Sequence, residues 1–366
     1  MSRIAYVIGG LPFGGVENWL FELLSLIRST NIHECRIFNV SGTGVKLPEF
    51  QDAGLDVVCI GSSNAAASTH RLDTAFRLRA ELKRFMPDLI HTLHFSGDYF
   101  GRLAAIGLGI PVVTNIRNIK REKKLFRRFS NKVLSFATDS YLANSHAVEQ
   151  IVCKDHNRSG CPVFVLHNAI DTAKLDCPPH NLRKLYALKG RIIIGIGRYV
   201  RQKNFISLIK AIQILYTAGR DVSLILVGEG ALRAEYTSII RELNLYDRVA
   251  LTGYRKDVGA FLRGADILAM PSFFEGFGNV HLEAMYCGIP GVISQHVPSL
   301  EIGRSASIVS DCSPEGIAEG LITLLDDPLK YEELAKKGQE ITTEFTMTKY
   351  MAKLFSVYAE VLGNEN

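Results

Sequence analysis

Two glutamates eight positions apart are the residues most suited to chemistry. They are Glu275 and Glu283, in the run Pro271-Ser-Phe-Phe-Glu275-Gly276-Phe277-Gly278-Asn279-Val280-His281-Leu-Glu283-Ala-Met-Tyr-Cys-Gly288-Ile-Pro290. Glu275 falls in a glycine-bearing loop. Glu283 falls about one turn into a helix that Asn279 is placed to cap, so both carboxylates can face one cleft. Carboxylates accept hydrogen bonds from vicinal hydroxyls, which a ribose and a hexose both present. Between the two, backbone N–H groups at the helix start can meet phosphate oxygens. Favourable electrostatics at a helix start would explain one glutamate. It would not explain the surrounding glycines, or Pro290 ending the helix so soon.

A second set lies in Gly195-Ile-Gly197-Arg198-Tyr-Val-Arg201-Gln-Lys203-Asn204, between an apolar run and the helical pattern Phe205–Leu215, with Asn204 as its expected cap. Arg198 and Lys203 beside a helix start would neutralise a diphosphate and hold the charge that grows on it as it leaves. Either cation alone would read as part of a solvated basic loop. The chain has no Asp-x-Asp pair to chelate a nucleotide-bound divalent ion, so neither a metal nor any other cofactor is expected. A third set is Gly9-Gly10-Leu-Pro-Phe-Gly14-Gly15 before a helical pattern at Val16–Ile27. Its glycines allow close backbone approach to a ligand, though the spacing is not the GxGxxG of dinucleotide binding. A tight strand-to-helix turn without a ligand is its plainer reading.

These loops need strands and helices to hold them. Short apolar runs alternate with amphipathic stretches: Ile4–Ile8, Ile37–Val40, Val57–Ile60, Leu89–His91, Val112–Thr114, Tyr141–Ala143 and Val163–Leu166. The alternation restarts after Asp171–Lys189 with Ile192–Ile196, Ser223–Val227, Val249–Leu251, Ile267–Met270, Gly291–Ile293 and Ser307–Val309. Buried apolar runs in this rhythm predict parallel sheets built from βαβ units, and therefore an α/β protein of two doubly wound domains. The domains fall at 1–170 and 171–345, followed by a C-terminal stretch, 346–366. Lys349–Leu362 is a helix whose Met351, Leu354, Phe355, Tyr358 and Leu362 need a surface to cover.

Composition agrees. The chain has 366 residues, 47% hydrophobic and 22% charged, enough for two cores. Seven scattered cysteines without a CxxC pair suggest neither a disulfide framework nor a zinc site, which points to a reducing cytoplasm. The opening apolar run is too short for a signal peptide, and no stretch reaches the roughly 18 apolar residues of a membrane span. A net charge of +5 is mild, so an anionic partner must be met by a local patch.

Glu275-x7-Glu283 in FFEGFGNVHLEAMYCGIP, together with GRYVRQKN, LILVGEGALR, LTGYRKDV and VLHNAID, resembles the family 4 (group 1) retaining glycosyltransferases of GT-B fold. The five signatures occur in the family's order and span nearly the whole chain. The resemblance implies two Rossmann-like domains facing across a cleft, with the C-terminal helix crossing back to the N-terminal, acceptor-binding domain. It also implies roles in transfer from a nucleotide-sugar donor, a UDP-sugar by resemblance. Glu275 holds donor-sugar hydroxyls, Glu283 the ribose, and Arg198 with Lys203 the diphosphate. Backbone in Gly276, Phe277, Gly278, Asn279 and Val280 approaches phosphates and sugar. Gly197 belongs to the cation loop, and Tyr254 and Arg255 border the nucleobase. Asn279, His281 and Phe277 help select the donor. Gly14 and Gly15 match the glycine loop near diphosphate and acceptor. Of His91 and His94, His94 is assigned to the reaction centre and His91 to the core. The acceptor implied is a glycan, as in relatives that extend polyprenyl-linked ones for cell-surface polysaccharide.

Between residues 117 and 136, eight cations (Arg117, Lys120, Arg121, Lys123, Lys124, Arg127, Arg128, Lys132) meet a single acid, with Leu125, Phe126, Phe129, Val133 and Phe136 at helical spacing among them. A basic amphipathic helix of this kind can lie on an anionic bilayer, which would make the protein peripheral on the inner face of the cytoplasmic membrane. Alternatively its apolar side packs on the sheet. Nucleic acid is not expected, since no stacking aromatic series accompanies the patch. The rival functions are a nucleotide-sugar 2-epimerase of the same fold, which needs no acceptor, and a non-catalytic nucleotide-sugar-binding subunit.

Overall fold

A computed structural model describes residues 1–68, 71–117, 125–157 and 159–363. The chain divides into two units, one of Met1–His167 with Met347–Asn366 and one of Asn168–Thr346. The division falls three residues before the expected 170/171 boundary, and one residue after the expected 345/346 boundary. The cause is local: Ile170 N donates to Phe345 O at 2.9 Å and Ile170 bridges Thr346, which ties both ends of the second unit to each other.

The first unit carries β1 (Arg3–Ile8), β2 (Glu34–Asn39), β3 (Val57–Cys59), β4 (Leu89–Leu93), β5 (Val112–Ile116), β6 (Ser140–Ala143) and β7 (Val163–Val165). They form one parallel sheet in the order β3-β2-β1-β4-β5-β6-β7. The second carries β8 (Arg191–Ile196), β9 (Val222–Val227), β10 (Val249–Leu251), β11 (Ile267–Met270), β12 (Gly291–Ser294) and β13 (Ser307–Ser310), in the order β10-β9-β8-β11-β12-β13. Each apolar run expected as a strand is one; the inner strands are covered on both faces, while β3 and β7, at the edges of the first sheet, are only half-buried or exposed. Aliphatic residues of β8, β9 and β11 are shared between two cores, one on each face of the second sheet.

In both sheets the chain winds outward in two directions from a neighbouring pair, β1 with β4 and β8 with β11. The carboxyl ends of such a pair are where open α/β sheets leave room for a ligand.

The C-terminal helix Met347–Val361 belongs to the first unit, as the family resemblance implied, and its apolar face finds its surface there. Tyr358 OH meets Tyr6 OH at 3.0 Å and His91 Nδ1 at 2.5 Å. Tyr350 packs edge-on to Trp19 at 5.8 Å, and Arg117 lies over the same indole at 4.0 Å. No helix among the described residues is long and apolar enough to cross a membrane, and all seven cysteines are free.

The basic stretch departs from the alternative in which its apolar side packs inward. Asn118 to Lys124, with Lys120, Arg121, Lys123 and Lys124, lie outside the described residues. The helix Leu125–Leu134 then turns Ser130, Asn131 and Leu134 inward and leaves Leu125, Phe126, Phe129 and Val133 exposed, with Phe136 exposed just after it. Asn131 turns inward because it meets a buried guanidinium: Arg102 Nη2 donates to Asn131 Oδ1 at 2.7 Å and Arg102 Nε to Asp98 O at 2.8 Å.

Candidate functional site

In the second unit, the loops after β8 and β11 are laced together. After β8 the chain passes Gly197 at φ +153°, exposed Arg198 and a tight turn at Arg201–Lys203, and enters the helix Phe205–Thr217 through Asn204. Asn204 stands where a cap was expected but caps nothing. In the left-handed region at φ +53°, it donates through Nδ2 to Pro271 O at 3.2 Å and Cys312 O at 2.9 Å, and its Oδ1 accepts from Ser207 Oγ at 2.9 Å. Phe273 N donates to Gln202 O at 2.9 Å, and Gln202 Nε2 to Phe274 O at 2.8 Å.

This lacing brings Lys203 Nζ to 2.7 Å from Glu275 Oε1, with both side chains largely buried. Gly197 makes the pair possible, because a Cβ there would sit 2.6 Å from Lys203 Cε. Arg198 stays exposed beside them. The two residues from separate sequence motifs therefore form one ion pair at the switch point. Gln202 adds a weak contact to Glu275 Oε2 at 3.5 Å. Gln202 was passed over in the sequence, and its place beside Lys203 in GRYVRQKN is the signal that could have found it.

Four residues from Glu275, the helix Asn279–Tyr286 begins. Asn279 is its first residue rather than its cap. The cap position is Gly278 at φ +106°, which supplies no side chain, and Asn279 Oδ1 instead accepts from Asn168 Nδ2 at 2.6 Å. Gly278 is needed for its backbone conformation and because a Cβ would lie 2.8 Å from Val297 Cγ1. Val280 and Glu283 lie half-buried in the helix, Glu283 in its second turn.

Two neighbours expected to select a ligand face the interior. His281 is fully buried, its Nδ1 2.8 Å from Ser299 Oγ and Nε2 2.7 Å from Ser307 Oγ, and burial pushes its pKa down to about 3. Phe277 sits in the core, so what it can offer a ligand is its backbone. A period-3.6 pattern with this many apolar positions buries every side but one, and the sequence did not reveal which side. Tyr254 is exposed after Gly253, whereas Arg255 is engaged with Asp257 through Nε at 3.1 Å and Nη2 at 3.0 Å. That pairing, with His180 adding to it, holds the Asp257 carboxyl well below the usual range.

In the first unit, the loops after β1 and β4 line a cavity of about 680 Å³ with Gly9, Gly10, Thr43, Asn64, His94 and Ser96 among its walls. His91 is a core residue, bonded through Nδ1 to Tyr358 and through Nε2 to Asn115 Nδ2 at 3.0 Å. His94 begins the helix His94–Ala105 at φ +64° and faces the cavity with 35% of its side chain exposed. Its Nε2 lies 3.4 Å from Glu17 Oε1. Gly14 and Gly15 divide in role: a Cβ on Gly14 would fall 2.3 Å from Glu17 Oε2, while Gly15 faces open space. Glu17 was not singled out in the sequence, because a glutamate in the first turn of a helix is ordinary there.

Residues 182–341 match the family model described as glycosyl transferases group 1, and residues 13–174 match glycosyltransferase family 4. The chain is 29% identical over 232 residues to the N-acetylgalactosamine-N,N'-diacetylbacillosaminyl-diphospho-undecaprenol 4-alpha-N-acetylgalactosaminyltransferase of Campylobacter jejuni, covering 62% of this chain and 61% of that one. It is 28% identical over 221 residues to the 2-deoxystreptamine glucosyltransferase of Streptomyces kanamyceticus, covering 56% of each. These matches span less than two thirds of the relatives' own length. Among solved structures, Anabaena HepE in complex with UDP matches with a TM-score of 0.84 at 20% identity, over 98% of this chain and 100% of that one. Sucrose-phosphate synthase from Thermosynechococcus elongatus matches with 0.81 at 18%, over the whole of both chains. The two parallel sheets with their helices match the GT-B fold of these structures.

Proposed function

Because the chain belongs to the family 4 (group 1) glycosyltransferases, we propose that it moves a sugar from a UDP-sugar to an acceptor hydroxyl with retention of configuration and without a metal. The observation that carries this reading is the Lys203–Glu275 pair beside exposed Arg198 at the second unit's switch point. When the donor arrives, Lys203 exchanges Glu275 for a phosphate oxygen, and Glu275 Oε1 is released to accept sugar hydroxyls. Arg198 and Lys203 then stabilise the charge that develops as the sugar C1–O(phosphate) bond breaks. The new bond joins C1 to the acceptor oxygen, the acceptor's proton passes to the departing phosphate, and UDP leaves. Support for UDP comes from HepE, whose structures hold UDP and UDP-glucose.

The acceptor is a lipid-linked glycan at an anionic membrane surface. Support comes from the diphospho-undecaprenol in the Campylobacter relative's name and from the helix Leu125–Leu134, which leaves Leu125, Phe129 and Val133 exposed among its cations. Exposed Phe129 and Phe136 would enter the interfacial region, while Arg128 and Lys132 meet lipid phosphates at about 1 kcal/mol each.

UDP-, GDP- and ADP-sugars, each offered with lipid extract and read by nucleotide release and product mass, test the transfer. One UDP-sugar should give an α-linked lipid product. Sugar isomerisation with no acceptor, or turnover of a GDP-sugar alone, overturns the reading. Phe129→Ser with Phe136→Ser should release the protein from phosphatidylglycerol vesicles, and unchanged partition removes the membrane part.

A further inference from the structure

One buried acid in the first unit takes no part in that scheme. Glu17, in the first turn of the helix Gly15–Thr30, is 2% exposed. Its Oε1 has no hydrogen-bond partner among the described residues, yet lies 3.4 Å from His94 Nε2. A carboxylate that merely favours a helix start does so from the surface, with its oxygens in water. Burying one with an oxygen left over is costly unless a partner completes it. The surroundings are cut to fit: Gly14 leaves out the Cβ that would collide with Glu17 Oε2. On the other side, His94 is held in the left-handed region, sparsely populated for a residue with a side chain. Strain of this kind persists where the surrounding structure fixes it, and His94 borders the cavity.

We propose that Glu17 is the positioning residue for His94, accepting the Nε2 proton so that the neutral imidazole keeps Nδ1 as the nitrogen that accepts a hydrogen bond from a sugar hydroxyl. The inference rests on the glycosyltransferase reading for the identity of the hydroxyl, but not for the pair itself. Burial, and then the charge of Arg117, push His94 down to about 4, which keeps the ring neutral at physiological pH. Burial raises Glu17, against the pull of Lys46. Lys46 and Arg117 thus act on the pair, and among the described residues Arg127 lines the same cavity as His94. Lys46 is bound to Asn18 Oδ1 and paired with Glu49 at 3.3 Å, and Arg117 is stacked on Trp19. If Glu17 takes up a proton, the carboxylic acid must donate to Nε2, and the ring proton moves to Nδ1. An acceptor of hydroxyl hydrogen bonds then becomes a donor.

The test has a spectroscopic arm and a kinetic arm, both on the full chain. Nitrogen-15 NMR of histidine-labelled protein, with the His94 signals assigned by their loss in His94→Gln, should show the Nε2–H tautomer at neutral pH. It should show conversion toward Nδ1–H on acidification, in step with Glu17. An Nδ1–H tautomer at neutral pH overturns the proposal, and this arm needs no substrate, so it stands if the transfer reading fails. Glu17→Gln should lower kcat about 10- to 100-fold with the donor KM unchanged, and move the acidic limb of kcat to lower pH. Wild-type kcat with an unmoved acidic limb overturns it. If Glu17→Gln does not fold, the wild-type tautomer and its pH dependence decide alone.

Discussion

Each unit places a glutamate under 10% exposed at its switch point, beside a glycine-bearing loop and a helix start, and the two glutamates differ in what faces them. Glu275 has a fixed cation, Lys203 Nζ, at 2.7 Å, and one further weak donor, Gln202 Nε2, at 3.5 Å. Glu17 turns Oε1, which has no hydrogen-bond partner among the described residues, to 3.4 Å from the His94 imidazole. A carboxylate held by a cation stays charged and exchanges partners when an anion arrives, which suits a diphosphate donor. A carboxylate held by a neutral ring shares a proton instead, which suits the recognition of hydroxyls. The same sheet topology thus serves two kinds of hydrogen-bond chemistry, and what separates them is one residue after each strand.

The largest effect should come from the second switch point. Glu275→Gln keeps the shape and removes the charge, and turnover should fall about 10²- to 10³-fold, or about 3–4 kcal/mol of transition-state stabilisation. Calorimetric UDP binding should change much less, since the proposed scheme gives the phosphates to Arg198 and Lys203. If UDP affinity collapsed with turnover, Glu275 would be serving the nucleotide, and the contrast with Glu17 would be lost.

A smaller effect compares the cores beneath the two sites. His91 in the first unit and His281 in the second are fully buried, and burial holds each at about 3, with Arg117 adding to the effect on His91. Their folded pKa values lie below the unfolded value of about 6.5. The stability they contribute is therefore complete above that pH and is lost as pH falls toward 3, at up to about 1.4 kcal/mol per pH unit for each histidine. Urea unfolding at pH 7.5 and 5.5 should show both units weakened at the lower pH. Trp19 is the single tryptophan and lies in the first unit, so its fluorescence follows that unit while circular dichroism follows both. A first unit indifferent to this change would mean that His91 is protonated within the fold.

How far these features were legible in the sequence follows from their physics. Buried parallel strands leave continuous apolar runs, so all thirteen strands named among the described residues were expected, with ends shifted by no more than three residues; the stripe of Met347–Val361 showed that it needs a surface, and the family resemblance, not the stripe, implied which one. The Lys203–Glu275 contact was half legible. Both residues stood out beside glycines, but their pairing depends on Asn204 and Gln202 bridging segments about seventy residues apart. The inward turn of His281 and the outward turn of Phe129 were not legible. Which side of an amphipathic helix faces the body is decided by its neighbour, and here a buried Arg102 draws in Asn131. Glu17 was hidden for another reason, since its partner is seventy-seven residues away and appears only when β1 and β4 pair.

The smallest expected effect would sharpen the comparison most. Gly14 has an extended backbone at φ −176°, which alanine adopts without strain, so Gly14→Ala should leave stability within about 1 kcal/mol. The added Cβ would lie 2.3 Å from Glu17 Oε2, the far end of a flexible side chain, so the carboxyl must move while the helix stays. Displacing it should loosen its hold on His94 and lower kcat several-fold, with the donor KM unchanged. If the donor KM rose instead and kcat held, the missing Cβ would be making room for a phosphate rather than for Glu17. The first switch point would then be a second anion site, alike in kind to the Lys203 loop.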